Sequence, residues 1–195
     1  MTAAKTRLLA AIAGKNRGLL AKEIDRQVIR DAIDRLEDEN PTARPTEATE
    51  LLGGDWRLLY TTAMEWWNVE IPPLVKLGQV YQCIRFQTGK FYNIAEISGL
   101  PYLDGIFSVS AQFEPLSERR ISVAFQRSIV GLQNLIDYQS PVEFVDRLEA
   151  GQKFNAIDLP ADARDQNNWL DTTYLDEDLR IGRGNRGNLY ILTKV

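Results

Sequence analysis

Two prolines divide the chain into segments with different hydrophobic periods. Pro41 and Pro45 stand in the run DENPTARP, and each lacks a backbone N–H and restricts the residue before it. We therefore predict that an N-terminal helical segment, residues 1–40, ends here and that residues 41–54 form a linker. In residues 55–195, apolar and polar residues alternate in short segments separated by turn residues, which is typical of an antiparallel sheet or barrel. The sequence thus predicts a mostly β domain preceded by two α-helices.

The two predicted helices differ in the clarity of their apolar face. The first covers Ala3–Ala13, where Leu8 and Ile12 lie on one side. The second has hydrophobic residues at three-, four- and one-residue steps, which we interpret as one apolar stripe. That stripe consists of Ile24, Val28, Ala32, Ile33 and Leu36.

Eight strands are predicted after the linker. Thr88-Gly89 separates two alternating segments and Glu118-Arg119 separates two others, so each pair is expected to form a hairpin. The glycine-rich run Gly184–Gly187 is interpreted as a turn rather than a phosphate-binding loop, because a strand and not a helix follows it. Residues 128–150 favour one or two strands or a short helix, and residues 151–168 an irregular loop. The predicted strands are Asp55–Thr62, Gln79–Phe86, Lys90–Ile97, Ile106–Phe113, Arg120–Arg127, Trp169–Leu175, Leu179–Arg183 and Asn188–Lys194.

The residue content excludes several kinds of catalytic and metal site. The chain contains no histidine, so it cannot form a Ser-His-Asp or Cys-His pair or offer imidazole to a metal. Cys83 is its single cysteine, which excludes an intrachain disulfide and a thiolate zinc cluster. Asp171, Asp176, Glu177 and Asp178 lie close to several arginines, and we interpret them as turn residues with ion-pair partners rather than as an acid–base pair. We therefore predict a protein that is not an enzyme and needs no cofactor or metal.

Charge is distributed unevenly along the chain. The net charge of -4 disfavours a nucleic-acid partner, which would require a basic groove. Residues 1–22 nevertheless contain five basic and no acidic residues, so this arm is expected either to favour anionic membranes or to pack on the barrel. No run of about 18 apolar residues is present, and the N-terminus lacks the pattern of a secretory signal. The sequence predicts a soluble or peripheral protein.

The triplet Gly54-Asp55-Trp56 opens the first predicted strand. A G-x-W triplet in this position resembles the opening signature of lipocalins, in which the tryptophan closes one end of the barrel beneath an arginine from the last strands. Arg180 and Arg183 are the arginines available here. The alternative is an ordinary core tryptophan that follows a turn. We expect Trp56 to be buried against Arg180 or Arg183.

Three blocks of sequence resemble the plastid lipid-associated proteins, also called fibrillins. They are Leu36–Pro45, Leu51–Thr62 and Trp169–Leu192, and they occur in the order of that family. The resemblance implies a lipocalin-like β-barrel preceded by helices and a role in binding or organising carotenoids, quinones, fatty acids and other lipids. It also implies a peripheral location at thylakoids or lipid particles, on the cytoplasmic side. Because no transit peptide precedes the helices, we expect a cyanobacterial member.

The barrel interior is the expected binding site. An eight-stranded barrel encloses just enough space for side chains or for one small ligand. We expect one apolar molecule to lie end-on, with its polar head near the open mouth, among apolar residues and polar positions such as Asn93 and Ser108. Two adjacent indoles cannot both point inward from a strand, so Trp66 and Trp67 form either a lid or a plug. The predicted lining residues are Tyr60, Trp66, Trp67, Tyr81, Phe86, Phe107 and Phe125.

Three functions remain open on the sequence alone. The first is non-catalytic binding of an isoprenoid or acyl lipid inside the barrel. The second is a structural coat on lipid particles or membranes with no defined ligand pocket. The third, less favoured, is an enzyme that acts on lipid through Asp171 and Asp176. The sequence indicates no particular protein partner for any of them.

Overall fold

The fold follows the predicted order of two helices and then strands. The computed structural model describes residues 2–63, 76–99, 103–160 and 168–195. The helices in these residues are α1 Ala3–Ile12, α2 Glu23–Asp38, α3 Thr49–Leu52, α4 Gln133–Ile136 and α5 Pro141–Glu149. The strands are β1 Gly54–Thr61, β2 Lys76–Arg85, β3 Lys90–Ser98, β4 Gly105–Pro115, β5 Arg120–Leu132, β6 Ile157–Pro160, β7 Asn168–Leu175, β8 Leu179–Gly184 and β9 Leu189–Lys194.

Eight of the strands close into an antiparallel barrel. Strands β1 to β5 pair in chain order, β7 pairs with the first residues of β5, and β9 returns to pair with β1. The strand β6 lies outside this ring and pairs with Arg127–Val130 in the second part of β5. The predicted mostly β barrel with two leading helices is confirmed. Residues 128–150 form the end of β5 and the helices α4 and α5, and the segment predicted to be irregular contains β6.

Helices α1 and α2 cover the outer surface of the barrel on one side. Leu8 of α1 and Ile29 and Ile33 of α2 are buried in one cluster with Ile181 and Ile191, which point outward from β8 and β9. The predicted apolar face of α1 is therefore confirmed. Of the two expectations for the basic arm, packing on the barrel is the one that Leu8 and Ile12 of its first helix meet.

The predicted apolar stripe of α2 is only partly correct. Ile33 and Leu36 are buried, but Ile24 and Val28 are largely exposed. At 100° per residue, Ile29 lies on the same face as Ile33 and Leu36, whereas Ile24 lies about 120° away from Leu36 around the helix. The spacing of apolar residues along the sequence therefore grouped residues that lie on two different faces of α2 into one predicted stripe.

Helices α4 and α5 cover the outer surface on the other side. Ile136, Phe144 and Val145 pack in a second outer cluster against residues that point outward from β2 to β5. Cys83 lies in this cluster and is fully buried, and burial raises the pKa of its thiol well above the ordinary value. These two helices thus bury apolar side chains that point outward from the barrel and would otherwise be exposed to water.

Lys5 joins α1 to the turn between β7 and β8. The Lys5 side chain is buried, and its Nζ donates to Asp176 Oδ2 at 2.7 Å and also to Asp178. The Tyr174 hydroxyl donates to the same Asp176 oxygen at 2.6 Å. Burial by itself raises the pKa of Asp176, but the hydrogen bonds from Lys5 and Tyr174 outweigh that effect and hold the pKa well below its ordinary value. This carboxylate is therefore stabilised in its charged form by the folded state.

We expect Asp176→Asn to lower the free energy of unfolding at pH 7 by about 2 kcal/mol, because the amide keeps an oxygen for the turn but loses the charge that pairs with Lys5. The folded pKa is depressed, so the carboxylate stabilises the fold fully above its unfolded pKa of about 3.9 and loses that effect as the pH falls toward the folded pKa. Urea unfolding of both proteins at pH 7 and pH 3 should show the difference shrinking at the lower pH. Glu177→Gln, at an exposed neighbour, is the control. An equal loss in the control would contradict the account.

Candidate functional site

One end of the barrel is closed by the segment that precedes β1. Trp56 is fully buried inside this end, and its Nε1 donates to the carbonyl oxygen of Leu52 at 2.9 Å. The segment is attached to the turn between β4 and β5, because Thr46 donates from its hydroxyl to Ser117 O at 2.8 Å and from its backbone N to Glu118 O at 3.1 Å. Residues 46–52 therefore cover the barrel at the Trp56 end.

Arg180 and not Arg183 lies against the Trp56 ring. The guanidinium carbon of Arg180 is 5.0 Å from the ring centroid, and Lys194 Nζ is 5.2 Å from it. Arg183 points outward instead and donates to Glu37 Oε2 at 2.6 Å and to Asp34 Oδ1 at 2.9 Å on α2. Residues 180 and 183 lie on opposite faces of β8 because successive side chains alternate.

A line of polar side chains extends from Arg180 across the barrel interior. Arg180 is 1% exposed, and its Nη2 donates to Gln82 Oε1. Gln82 Nε2 in turn donates to Asn93 Oδ1 at 2.9 Å. Burial lowers the pKa of Arg180 to about 9, so the guanidinium is still charged at neutral pH. Its Nε has no hydrogen-bond partner within the described ranges of the chain. A partly exposed polar pair, Gln82 and Asn93, is therefore present inside an otherwise apolar space.

The burial of the interior side chains varies along the barrel. Apolar residues of the interior cluster such as Ile84, Phe91, Phe113, Leu175 and Leu192 are buried. A second group in the same cluster is only partly buried and lies within the first three residues of β2, β4, β7 and β9. These strands run in the same direction, opposite to β1, so all four begin at the end of the barrel away from Trp56. The group, which we call the mouth residues, consists of Leu77, Phe107, Leu170 and Tyr190.

Three of the predicted lining residues belong to the interior cluster. Phe107 is a mouth residue. Phe86 lies near the closed end, where its ring meets Phe113 edge-on with centroids 5.1 Å apart. Phe125 meets Phe91 with centroids 6.4 Å apart. The structure brings these phenylalanines into one apolar space, although at different depths.

Tyr60 and Tyr81, two other predicted lining residues, point away from the barrel interior. Tyr60 packs with α1 and α2 on the outer surface, because the register of β1 against β9 shifts between Leu58 and Tyr60 and reverses the facing of the strand. Tyr81 points outward toward the cluster of α4 and α5, as expected for a neighbour of the inward-facing Val80. Both placements correct the predicted lining. Trp66 and Trp67 lie outside the described residues.

The two polar positions named from the sequence are on opposite sides of the barrel wall. Asn93 points inward, as its hydrogen bond with Gln82 requires. Ser108 is buried on the outer face and lines a cavity of about 300 Å³ together with Tyr92, Arg127 and Leu148. This cavity is therefore separate from the barrel interior. Sequence reasoning also missed Leu77, Leu170 and Tyr190, since parity alone does not show which strand ends meet at the mouth.

The carboxylates considered for catalysis are engaged in ion pairs. Asp171 accepts from Arg120 Nε at 2.6 Å and from Arg120 Nη2 at 2.7 Å, and Asp176 pairs with Lys5. Within the described segments, no group of three or more cysteine, aspartate and glutamate residues is placed to hold a metal ion. None of the helices in those segments is long and apolar enough to cross a membrane. The arrangement at the mouth is suited to apolar contact, with hydrogen bonding farther inside.

Comparison with known proteins gives matches over almost the whole chain. The PAP_fibrillin family model matches residues 2–193. The chain is 32% identical to the probable plastid-lipid-associated protein 2, chloroplastic, of Arabidopsis thaliana, over 97% of this chain and 70% of that protein. It is 33% identical to the chromoplast-specific carotenoid-associated protein of Cucumis sativus, over 97% of this chain and 67% of that protein. It is 32% identical to plastoglobulin-1, chloroplastic, of Pisum sativum, over 97% and 60%. No solved structure gives a significant match.

Proposed function

The chain belongs to the PAP_fibrillin family, and from that premise we propose that it binds one isoprenoid or acyl lipid inside its barrel without catalysing a reaction. The ligand class includes carotenoids, quinones and fatty acids. The lipid-related names of the relatives support this class, since one is a carotenoid-associated protein and another a plastoglobulin. We place the protein at the surface of thylakoid membranes or lipid particles, on the cytoplasmic side.

The observation that supports a ligand inside the barrel is the incomplete burial of the mouth residues. Leu77, Phe107, Leu170 and Tyr190 face inward, yet each retains exposed surface, while other inward-facing residues are buried, among them Ile84, Phe91 and Leu192. An apolar molecule that covered these four side chains would gain about 25 cal/mol for each Å² of apolar surface removed from water. Gln82 and Asn93 lie among the inward-facing residues and offer hydrogen bonds to a polar group of the ligand.

A structural coat on lipid particles is the second candidate function. The plastoglobulin name of one relative supports it, and it requires no ligand inside the barrel. The third candidate, a carboxylate enzyme, has less support because Asp171 and Asp176 are already paired with Arg120 and Lys5. Lipid turnover that is lost in an Asp171→Asn, Asp176→Asn double variant that still folds would favour this candidate over ours.

Two measurements on the purified protein test the proposal. Mass spectrometry of an organic extract should identify a co-purified isoprenoid or acyl lipid. Titration of ligand-free protein with decylplastoquinone should quench tryptophan fluorescence and saturate at one quinone per chain. A signal that rises without saturating at that ratio would indicate adsorption to the surface and would favour the coat function.

A further inference from the structure

A group of large apolar side chains is exposed in the connection between α1 and α2 and in the first turns of α2. Leu19 is 48% exposed, Leu20 63%, Ile24 70% and Val28 51%. Ile24 and Val28 are four residues apart and therefore adjacent on one face of α2, and Leu19 and Leu20 lie four and three residues before the first residue of this helix. We call these four residues the docking patch. Exposed apolar patches rimmed by polar residues can mark sites of protein or membrane interaction.

Hydrogen bonds attach the connection between α1 and α2, which carries Leu19 and Leu20, to the rim of the barrel mouth. Thr61 at the end of β1 donates its backbone N–H to Arg17 O at 3.1 Å, and Arg17 Nη2 donates to Leu77 O at 2.8 Å in the second residue of β2. Gly18 allows this close approach: it has a φ of +105°, and a Cβ there would lie 2.4 Å from Thr61 O. Leu77 is a mouth residue, so the connection is attached to the rim of the mouth.

The docking patch lies in a basic part of the sequence. Residues 15–30 contain five basic and two acidic residues, a net charge of +3, whereas the whole chain has a net charge of -4. Both acids are paired within this segment, Asp25 with Lys15 at 2.9 Å and Glu23 with Arg26 at 3.6 Å, which leaves Arg17, Lys22 and Arg30 as its excess positive charge. Exposed apolar side chains beside excess positive charge are the combination that binds to the interface of an anionic lipid layer.

We propose that the docking patch binds the surface of an anionic lipid layer and so holds the mouth of the barrel against the lipid. This inference rests on the proposed ligand function and adds the route by which the ligand enters. The patch inserts its apolar side chains between headgroups, while the surrounding basic residues contact the anionic groups. An apolar molecule can then move from the lipid into the barrel without crossing water. The membrane contact is therefore made by residues 15–28 and not by the entire basic arm, since Leu8 and Ile12 are buried and Lys5 is paired.

Charge substitutions at the two most exposed patch positions test the proposal. In cosedimentation with vesicles of equal parts phosphatidylglycerol and phosphatidylcholine, the Leu20→Asp, Ile24→Asp variant should bind about tenfold or more weakly than the unchanged protein, and binding of the latter should fall as salt is raised. The matched control is Ile157→Asp, Leu159→Asp on β6, where the side chains are 62% and 54% exposed. It adds the same negative charge elsewhere and should bind nearly as well as the unchanged protein.

Equal binding by the patch variant and the unchanged protein would overturn the proposal, as would equal loss in the two variants. Leu20→Ser, Ile24→Ser repeats the test without added charge and should also weaken binding. Titration of the patch variant with decylplastoquinone in solution separates this inference from the proposed function. A saturable site at one quinone per chain, with vesicle binding lost, supports both proposals. Unchanged vesicle binding with that site intact refutes only the docking patch, and the absence of a saturable site in the unchanged protein refutes the proposed function.

Discussion

Replacing Trp56 with alanine is expected to lower the free energy of unfolding by about 3 to 5 kcal/mol. The side chain is fully buried, donates to Leu52 O, and lies between the interior apolar residues and the cations of Arg180 and Lys194. The substitution leaves a large cavity, an unpaired carbonyl oxygen and a buried guanidinium without its aromatic neighbour. Each of these consequences destabilises the folded state.

Equilibrium urea unfolding, followed by far-UV circular dichroism, measures this loss directly. Trp169→Ala is the matched control, because Trp169 is only partly buried on β7 and stacks with Arg120 at 3.7 Å from the ring centroid. We expect the control to lose about 1 kcal/mol, the usual size of an exposed cation–π contact. Similar losses in the two variants would show that Trp56 is not a principal support of the closed end.

The second large effect is expected from filling the mouth with a bulky side chain. Val109 pairs directly with Asn93 and lies between Phe107 and Ala111, so it faces inward, and it is partly exposed. Val109→Trp should occupy the space in which we propose that the ligand binds. The expected result is a loss of quinone affinity of at least about 100-fold, with a change in unfolding free energy of no more than about 2 kcal/mol.

A control on the same strand separates this effect from damage to the barrel. Gln112 faces outward and is exposed, so Gln112→Trp adds the same indole on the outside. It should bind decylplastoquinone with unchanged affinity. Loss of binding in this control would indicate that an indole added anywhere on β4 disturbs the site. The lower affinity of Val109→Trp would then give no support to a ligand inside the barrel.

The strand order could be predicted because alternation and turn residues are local signals. Strand β1 was predicted at Asp55–Thr62 and forms at Gly54–Thr61, and the hairpin turns fall between the predicted strands. For residues 128–150, which include α4 and α5, the sequence left one or two strands or a short helix open. The apolar residues of these helices pack on the outer face of the sheet, so their positions depend on that face and not on a local pattern. That face is formed by residues distant in sequence, such as Cys83 and Ile106.

The candidate site was harder to predict because side-chain facing depends on register. Counting alternate residues along the strand gave the correct inward facing for Phe107 and Phe125, because side chains in β4 and β5 alternate regularly up to these positions. It failed for Tyr60, because a register shift just before this residue turns it toward the helices. Arg180 and Arg183 could not be distinguished either, since only the pairing of β8 in the closed barrel determines which of its faces is inside.

Native mass spectrometry of the purified protein mixed with decylplastoquinone tests the central claim most directly. The unchanged protein and Gln112→Trp should each show a complex with one quinone bound, and Val109→Trp should appear without a bound quinone. This result would place a single apolar molecule in the open half of the barrel. A distribution of several bound quinones that is the same in all three proteins would contradict the account, because it would show that the quinone adsorbs to the surface and does not occupy the mouth.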